Sequence, residues 1–322
     1  MTWNQARKNQ PLDLARLFPE PNKYNVIAFG AQECVRADKE DQYEQIASYL
    51  GTEFVKVGFA GRGQIGLSVF VKRRDAQHMR DRATNTRALD KVSFGFKGGV
   101  TVSFSLYDMS FSFVNCHLKS GAFKAPGRLQ MASDVLKQIS CNEKDMLEPD
   151  AVHDFNFFMG DLNFRFNRTF TEHMPDIQRS PELFRELDQL HEARELGSFP
   201  NYIEAQVKFM PTYKRMKTHN DYKNKNDQCP SYTDRIMFKN NTSCPSLITE
   251  YNCKDDYFGS DHRPVYLSLK LKTRPSYFMD PVRLIDPHMV AQGRGEITLK
   301  NVQLTFDGER QELMKAQGTT CP

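Results

Sequence analysis

The chain has 322 residues, 39% of them hydrophobic and 24 of them phenylalanine, enough to bury a large core in one big domain or two ordinary ones. Its 44 basic and 40 acidic residues leave a formal charge of +4, too small by itself to announce nucleic acid or a membrane as the partner. Seven cysteines, none in a CxxC pair, argue against a zinc site and a disulfide framework and fit a reducing compartment. No signal peptide is evident, and no apolar run approaches the roughly 18 residues of a spanning helix, so a soluble, cytoplasmic protein with at most peripheral membrane contact is expected.

Short apolar runs alternate with helical stretches, the pattern of an α/β protein. In chain order, strands are predicted at Asn25 to Phe29, Gly66 to Val71, Val100 to Leu106, Phe111 to Asn115, Asn156 to Met159, Asp234 to Phe238 and Pro264 to Leu271. Helices are predicted at Asp41 to Leu50, Gly127 to Ile139 and Pro181 to Leu190, the last with Ser180 as N-cap and Pro181 at the first helical position. Past Lys272 the pattern changes. Pro275, Pro281 and Pro287 punctuate a segment that can sustain neither helix nor central strand. Residues 273–295 therefore read as a linker after a domain spanning 1–272. Residues 296–322, with a strand-like run into an Asp307-Gly308 turn and fourteen polar-rich residues after it, read as the start of a truncated second β domain.

Polar residues gather at the ends of the apolar runs. FNFFMGDLNFRF (155–166) passes abruptly from a buried-strand pattern into Asp161 and Asn163, a rigid place to hold a reactive group. Asn4 follows in TWN, Glu33 in VIAFGAQE, His117 in FSFVNCHL, Asp234 in PSYTDRIMF, and Asp261 and His262 in FGSDHRPVYL. Each alone has an ordinary explanation as a turn, a cap, a surface ion pair or a core histidine. Together they are the carboxylates, imidazoles and amides that metal-assisted phosphate ester hydrolysis requires.

The blocks FMGDLNFR, PTYK, PSYTDRI and GSDHRPV, in that order, resemble the signatures of the inositol polyphosphate 5-phosphatases, members of the magnesium-dependent endonuclease, exonuclease and phosphatase group. TWN, Gln32-Glu33, KGGV (97–100) and NCHL (115–118) extend the resemblance to roughly residues 2–272. The family usually has Tyr at Phe164, Trp-Cys at Tyr232-Thr233, Lys at Arg263 and Asn at Phe96. These departures remove no carboxylate or imidazole.

The resemblance implies a four-layer sandwich, two packed mixed or mainly antiparallel sheets flanked by helices. It implies Mg²⁺ held by Glu33 with support from Asn4, Asp161 orienting and deprotonating the attacking water, and Asn163 donating to that water or to a phosphoryl oxygen. His262, held by Asp234, would supply positive charge or a proton donor, and His117 would donate from another side. Asp261 would lie near the metal or orient its loop. Lys97, Arg165, Tyr213, Lys214 and Arg235 are implied substrate contacts, with Tyr213 and Lys214 reading the phosphate beside the one removed. No covalent cysteine intermediate is expected.

Basic stretches at 72–91, 119–128 and 208–225 bear on the substrate. Lys119, Lys124 and Arg128, expected among the substrate-binding residues, surround an isolated Phe123, a combination suited to an anionic membrane surface rather than to base stacking. Phosphoinositide lipids or soluble inositol polyphosphates, in lipid signalling, are therefore expected as partners, and nucleic acid is not. A nuclease of the same fold and an inactive phosphoinositide-binding scaffold are the alternatives.

Overall fold

In the computed structural model, residues 1–7, 11–35, 41–88, 97–138, 152–172 and 187–273 are described. The expected linker and second β domain lie almost wholly outside them, as do Phe96 and most of the expected helix Pro181 to Leu190. All described residues belong to the compact unit Met1–Arg274.

Among the described residues, eleven strands form two sheets. They are β1 (Thr2–Asn4), β2 (Val26–Gln32), β3 (Phe54–Arg62), β4 (Ile65–Lys72), β5 (Met79–Ala88), β6 (Gly98–Leu106), β7 (Met109–His117), β8 (Phe155–Asp161), β9 (Asp234–Asn240), β10 (Ser246–Cys253) and β11 (Val265–Leu271). One sheet has the order β10-β11-β1-β2-β4-β3, the other β5-β6-β7-β8-β9. Both are mixed: β1 runs parallel to β2 and β7 parallel to β8, and every other pairing is antiparallel. The helices are α1 (Leu14–Leu17), α2 (Asp41–Leu50), α3 (Ala125–Gln138) and α4 (Gln189–Glu195). No helix among the described residues is long and apolar enough to cross a membrane.

Alternation along the strands sorts the side chains into three apolar layers. Between the sheets lie Leu67, Val69 and Val71 of β4, Phe111 and Phe113 of β7, and Phe155, Phe157 and Met159 of β8. On the outer face of the first sheet Ile27, Phe29 and Phe70 pack with Tyr43, Ile46 and Leu50 of α2. On the outer face of the second, Val114, Cys116, Phe158 and Met237 pack with Ala132 and Val135 of α3 and Leu190 of α4. The result is the expected four-layer sandwich. The phenylalanine-rich composition finds its use here: cross-strand register stacks Phe113 on Phe157 at 4.5 Å and 6° between planes, and Phe111 on Phe155 at 5.4 Å.

Two glycines let the sheets assemble. Gly160 has φ +141°, and a Cβ there would lie 2.0 Å from the Cys116 carbonyl oxygen on β7. At Gly30 a Cβ would meet Asn115 Oδ1 at 2.5 Å. That buried amide bridges the sheets, donating to the Ala31 and Gly66 carbonyls and accepting from Gln32 Nε2 at 2.6 Å.

Candidate active site

The residues with chemistry stand in register at one end of the second sheet. Gly98 pairs with His117, His117 with Asp161, and Asp161 with Asp234, a row across four adjacent strands. Both β7 and β8 run two residues beyond their predicted ends, so His117 and Asp161 are strand residues rather than loop residues. By alternation they share the face of Phe113 and Phe157 and look toward the first sheet, where Asn4 ends β1 opposite Gln32. Glu33 follows with φ +49° and Asn163 follows Asp161 with φ +57°, left-handed positions that turn each chain sharply as it leaves its strand.

Asp161 is the centre, 2% exposed. Its Oδ2 accepts from Asn4 Nδ2 at 2.8 Å and lies 3.3 Å from His117 Nε2 and 3.9 Å from His262 Nε2, while Oδ1 accepts from the Asn163 N–H at 3.1 Å. Burial alone would raise its pKa, but the His262 cation, the His117 bond and the Lys97 ammonium hold the carboxyl well below the usual range. The carboxylate form is therefore favoured.

Asp234 and His262 form a pair although they lie 28 positions apart in the chain. His262 Nδ1 lies 2.9 Å from Asp234 Oδ2, which also accepts from Thr212 Oγ1 at 2.7 Å and Thr233 Oγ1 at 3.0 Å. Burial disfavours the imidazolium, yet Asp234 and Asp161 outweigh it and lift the imidazole to about 9. His262 is therefore a cation at neutral pH. His117 is the opposite case: burial and the adjacent Lys97, which contacts its Nε2, lower its pKa and keep it neutral. Lys97 itself is pushed down by burial to about 8.

The loop residues expected to meet substrate surround this centre. Tyr213 packs against His262 with ring centroids 4.4 Å apart and planes tilted by 39°, and Arg165 lies 4.3 Å over the Tyr213 ring while donating to Asn163 Oδ1 at 2.6 Å. Lys214 Nζ is 3.3 Å from both Tyr213 Oη and Asp261 Oδ2. Asp261 is thus turned to the Lys214 loop. Lys119 and Lys124 are exposed on the segment that carries Phe123.

Two expected substrate contacts are corrected. Arg128 is fully buried and spends its guanidinium on the Lys119, Gly121 and Ala122 carbonyls and on Gln189, so it shapes the 119–122 loop from beneath. Arg235, one residue from Asp234 and hence on the opposite face, is consumed by Asp188 at 2.6 Å and by both oxygens of Glu204. Two amides also make local bonds: Asn4 Oδ1 accepts the Ala6 N–H, which leaves its second lone pair, and Asn163 Nδ2 donates to the Leu118 carbonyl.

Sequence reasoning missed several supports. Thr212 and Thr233 hold Asp234; Ser260 donates to the Asn4 carbonyl and accepts the His262 N–H; the Trp3 indole donates to the His262 carbonyl. The threonines and Ser260 stand inside the PTYK, SYTDR and GSDHR blocks, which is the signal that could have found them. Cys229 and Arg235 have the spacing of a Cys-x5-Arg phosphatase loop, but burial pushes the thiol up to about 12 and the arginine is already paired. The structure excludes a thiolate nucleophile there.

The donors fit a hard divalent cation on the Glu33 side. Glu33 offers a carboxylate 29% exposed at the side chain, with His117 Nε2 3.9 Å and Arg7 Nε 3.8 Å away. Ligand atoms of Asp161, Asp234 and His262 also come within 4.8 Å of one another. That grouping fits a metal less well, because a protonated imidazole hydrogen-bonded through Nδ1 has no lone pair to give.

Residues 1–268 match the family model described as Endonuclease/Exonuclease/phosphatase family 2. The chain belongs to that family. Among curated relatives, it is 30% identical over 267 residues to the phosphatidylinositol 3,4,5-trisphosphate 5-phosphatase 2B of Danio rerio, covering 77% of this chain and 22% of that one. It is 27% identical over 345 aligned positions to the phosphatidylinositol polyphosphate 5-phosphatase type IV of Mus musculus, covering 99% and 52%. The chain thus spans between about a fifth and a half of these relatives' length.

Among solved structures, the inositol polyphosphate 5-phosphatase domain of SPsynaptojanin, in complex with inositol (1,4)-bisphosphate and calcium ion, superposes with TM-score 0.73 at 22% identity over 84% of each chain. A Cimex nitrophorin ferrous NO complex superposes with TM-score 0.69 at 23% identity, over 84% of this chain and 96% of that one. Both likenesses establish the fold, and the nitrophorin shows that this family fold does not dictate one function. The departures from the 5-phosphatase blocks are absorbed locally. Phe164 is buried in the outer core, Tyr232 donates to the Phe209 carbonyl, and Thr233 supplies the second hydroxyl on Asp234.

Proposed function

We propose that residues 1–272 form a Mg²⁺-dependent phosphomonoesterase that removes the 5-phosphate of phosphoinositides or soluble inositol polyphosphates. The observation that carries the reading is the line Asp234, His262, Asp161: a carboxylate 2.9 Å from a cationic imidazole whose other nitrogen lies 3.9 Å from an ionised carboxylate. A cation and a proton acceptor thus face one small space, as in-line attack of water on a phosphoryl group requires.

Glu33, with the Asn4 amide oxygen, would hold the magnesium, which would supply charge stabilisation for the phosphoryl and leaving oxygens. Asp161 orients the attacking water and takes its proton. His262, fixed by Asp234 and packed against Tyr213, donates from Nε2 to a phosphoryl oxygen, and Lys97 adds charge from the His117 side. Lys214 and Tyr213 present an ammonium and a phenol hydroxyl to a phosphate beside the reacting one. That both curated relatives are named 5-phosphatases supports this substrate class over nucleic acid.

Peripheral membrane contact belongs to the same proposal, in a cytoplasmic setting. Phe123 is 93% exposed between the solvent-facing Lys119 and Lys124, an apolar tip flanked by cations.

The deciding experiment follows phosphate release from a panel of lipid and soluble inositol phosphates, with EDTA and with Mg²⁺ restored. Metal-dependent loss of the 5-phosphate is expected. Release from DNA ends instead would establish the nuclease, and binding without release the inactive scaffold.

A further inference from the structure

The turn that leaves β1 holds two residues in the left-handed region, Ala6 with φ +51° and Arg7 with φ +57°, and Glu33 beside them is a third with φ +49°. Such backbone at residues other than glycine costs free energy and persists only where the surroundings enforce it. Here they do. Asn4 Oδ1 accepts the Ala6 N–H at 2.9 Å, the Gln5 N–H donates to the Gln32 carbonyl at 2.8 Å, and the Arg7 N–H donates to the Glu33 carbonyl at 2.9 Å. The Gln5 amide exchanges two further bonds with Gln42 of α2, at 3.0 and 2.7 Å.

The turn sets one guanidinium beside one carboxylate. Arg7 is tied by its main chain to the residue whose side chain it faces, with Nε 3.8 Å from Glu33 Oε2. Its side chain is 59% exposed, so water can replace Glu33 as its partner at small cost. The same charge reaches the reaction centre: burial lowers the Lys97 pKa, and the Arg165 and Arg7 cations lower it further. Glu33 cannot serve a divalent cation and an arginine equally, because a single negative charge is more than balanced by the metal. The guanidinium then faces other cations and needs another anion. The phosphate drawn to this centre is that anion, and its oxygens match the guanidinium fork.

We propose that Arg7 is exchanged between the metal carboxylate and the substrate: it is the counter-ion of Glu33 while the site holds no metal, and a ligand of the phosphate being removed once a divalent cation holds Glu33. This inference rests on the proposed function. Its consequence is that metal and phosphate strengthen each other's binding, by the same factor in both directions, and that Arg7 supplies part of that factor.

The test is calorimetric and needs no turnover. Mg²⁺ is titrated into wild type, Arg7→Asn and Arg7→Lys, and inorganic phosphate is then titrated into each at saturating Mg²⁺. Asparagine tolerates the left-handed position and leaves the main-chain bonds of the turn in place, so Arg7→Asn removes the charge alone. The expected result is that Arg7→Asn binds Mg²⁺ about three- to tenfold more tightly and phosphate about three- to tenfold more weakly, while Arg7→Lys keeps most of both wild-type affinities. The two shifts have opposite signs, which a damaged fold does not produce. Mg²⁺ affinity that is unchanged or weaker in Arg7→Asn overturns the inference and leaves Arg7 an ordinary surface ion pair. Tighter Mg²⁺ with unchanged phosphate affinity overturns it too, because the guanidinium then never reaches the phosphate. A wild type that binds no Mg²⁺ removes the proposed metal site, and this inference with it.

Discussion

Asp161 accepts from an amide, faces two imidazoles and is held as a carboxylate although buried, so its loss removes both a proton acceptor and the counter-charge of His262. Asp161→Asn keeps shape and the Asn4 contact while abolishing the base. Turnover is expected to fall about 10²- to 10⁴-fold, and a far-ultraviolet circular dichroism spectrum like the wild type's would place the loss in the chemistry. Turnover within threefold of wild type would remove Asp161 from that role. His262 gives a second prediction, read from stability without metal. Its pKa is raised from 6.5 to about 9 in the folded protein, so its contribution is complete below pH 6.5 and disappears as pH rises through 9. The difference in unfolding free energy between wild type and His262→Gln in EDTA should shrink by roughly 3 kcal/mol between pH 6 and pH 9.5. A constant difference would show that the imidazole is not held as a cation. These residues were legible because a polar group at the end of an apolar run is conspicuous. Arg128, taken from a basic stretch, and Arg235, taken from a signature block, were misplaced because a basic residue looks the same in sequence whether its side chain meets a ligand or buried protein groups.

At the scale of elements, the strands read from the sequence were chiefly interior ones, and three of the four missed strands lie on sheet edges. β3, β5 and β10 are edge strands, where one side faces solvent and the apolar pattern dilutes. β5, MRDRATNTRA, carries charges suited to an unpaired edge and gave no strand period at all. The fourth, β1, has three residues, too few for any period. Most of the expected helix Pro181 to Leu190 falls outside the described residues, and α4 begins at Gln189, capped by Asp188. The abrupt Gly before Asp161 now has its cause in the parallel pairing of β7 with β8. Gly160→Ala would force a Cβ into the Cys116 carbonyl at a backbone angle that alanine resists. The expected cost is at least about 3 kcal/mol, seen as a large fall in melting temperature with turnover per folded molecule also reduced, since His117 and Asp161 are registered through that contact. A melting temperature within two degrees of wild type would show that the strands can part there without consequence.

The site belongs to the whole molecule, because Asn4, Glu33, His117, Asp161, Asp234 and His262 come from six separate stretches and meet only when two sheets close face to face. No local pattern announces that meeting; only the ordered set of blocks did. The same closure puts the 119–124 loop beside the residue row, since Leu118 N–H donates to the Asp161 carbonyl and Arg128 ties the loop down from within. A tip that is held so firmly and still leaves Phe123 93% exposed makes sense if another phase covers it. Inserting one phenylalanine into the interface of an anionic bilayer gains about 1–2 kcal/mol, and each lysine near the surface adds about 1 kcal/mol. Phe123→Ser should therefore weaken cosedimentation with phosphatidylserine vesicles about five- to thirtyfold at constant ionic strength. Lys119→Ala and Lys124→Ala should each weaken it by a few-fold, and the lysine effects alone should vanish in high salt. Hydrolysis of a soluble inositol phosphate should be unchanged in Phe123→Ser, because the ring touches none of the reacting groups, while hydrolysis of the same headgroup in a vesicle falls in step with binding. Equal binding of wild type and Phe123→Ser to the vesicles would leave the loop an ordinary exposed turn and take the membrane out of the proposed function.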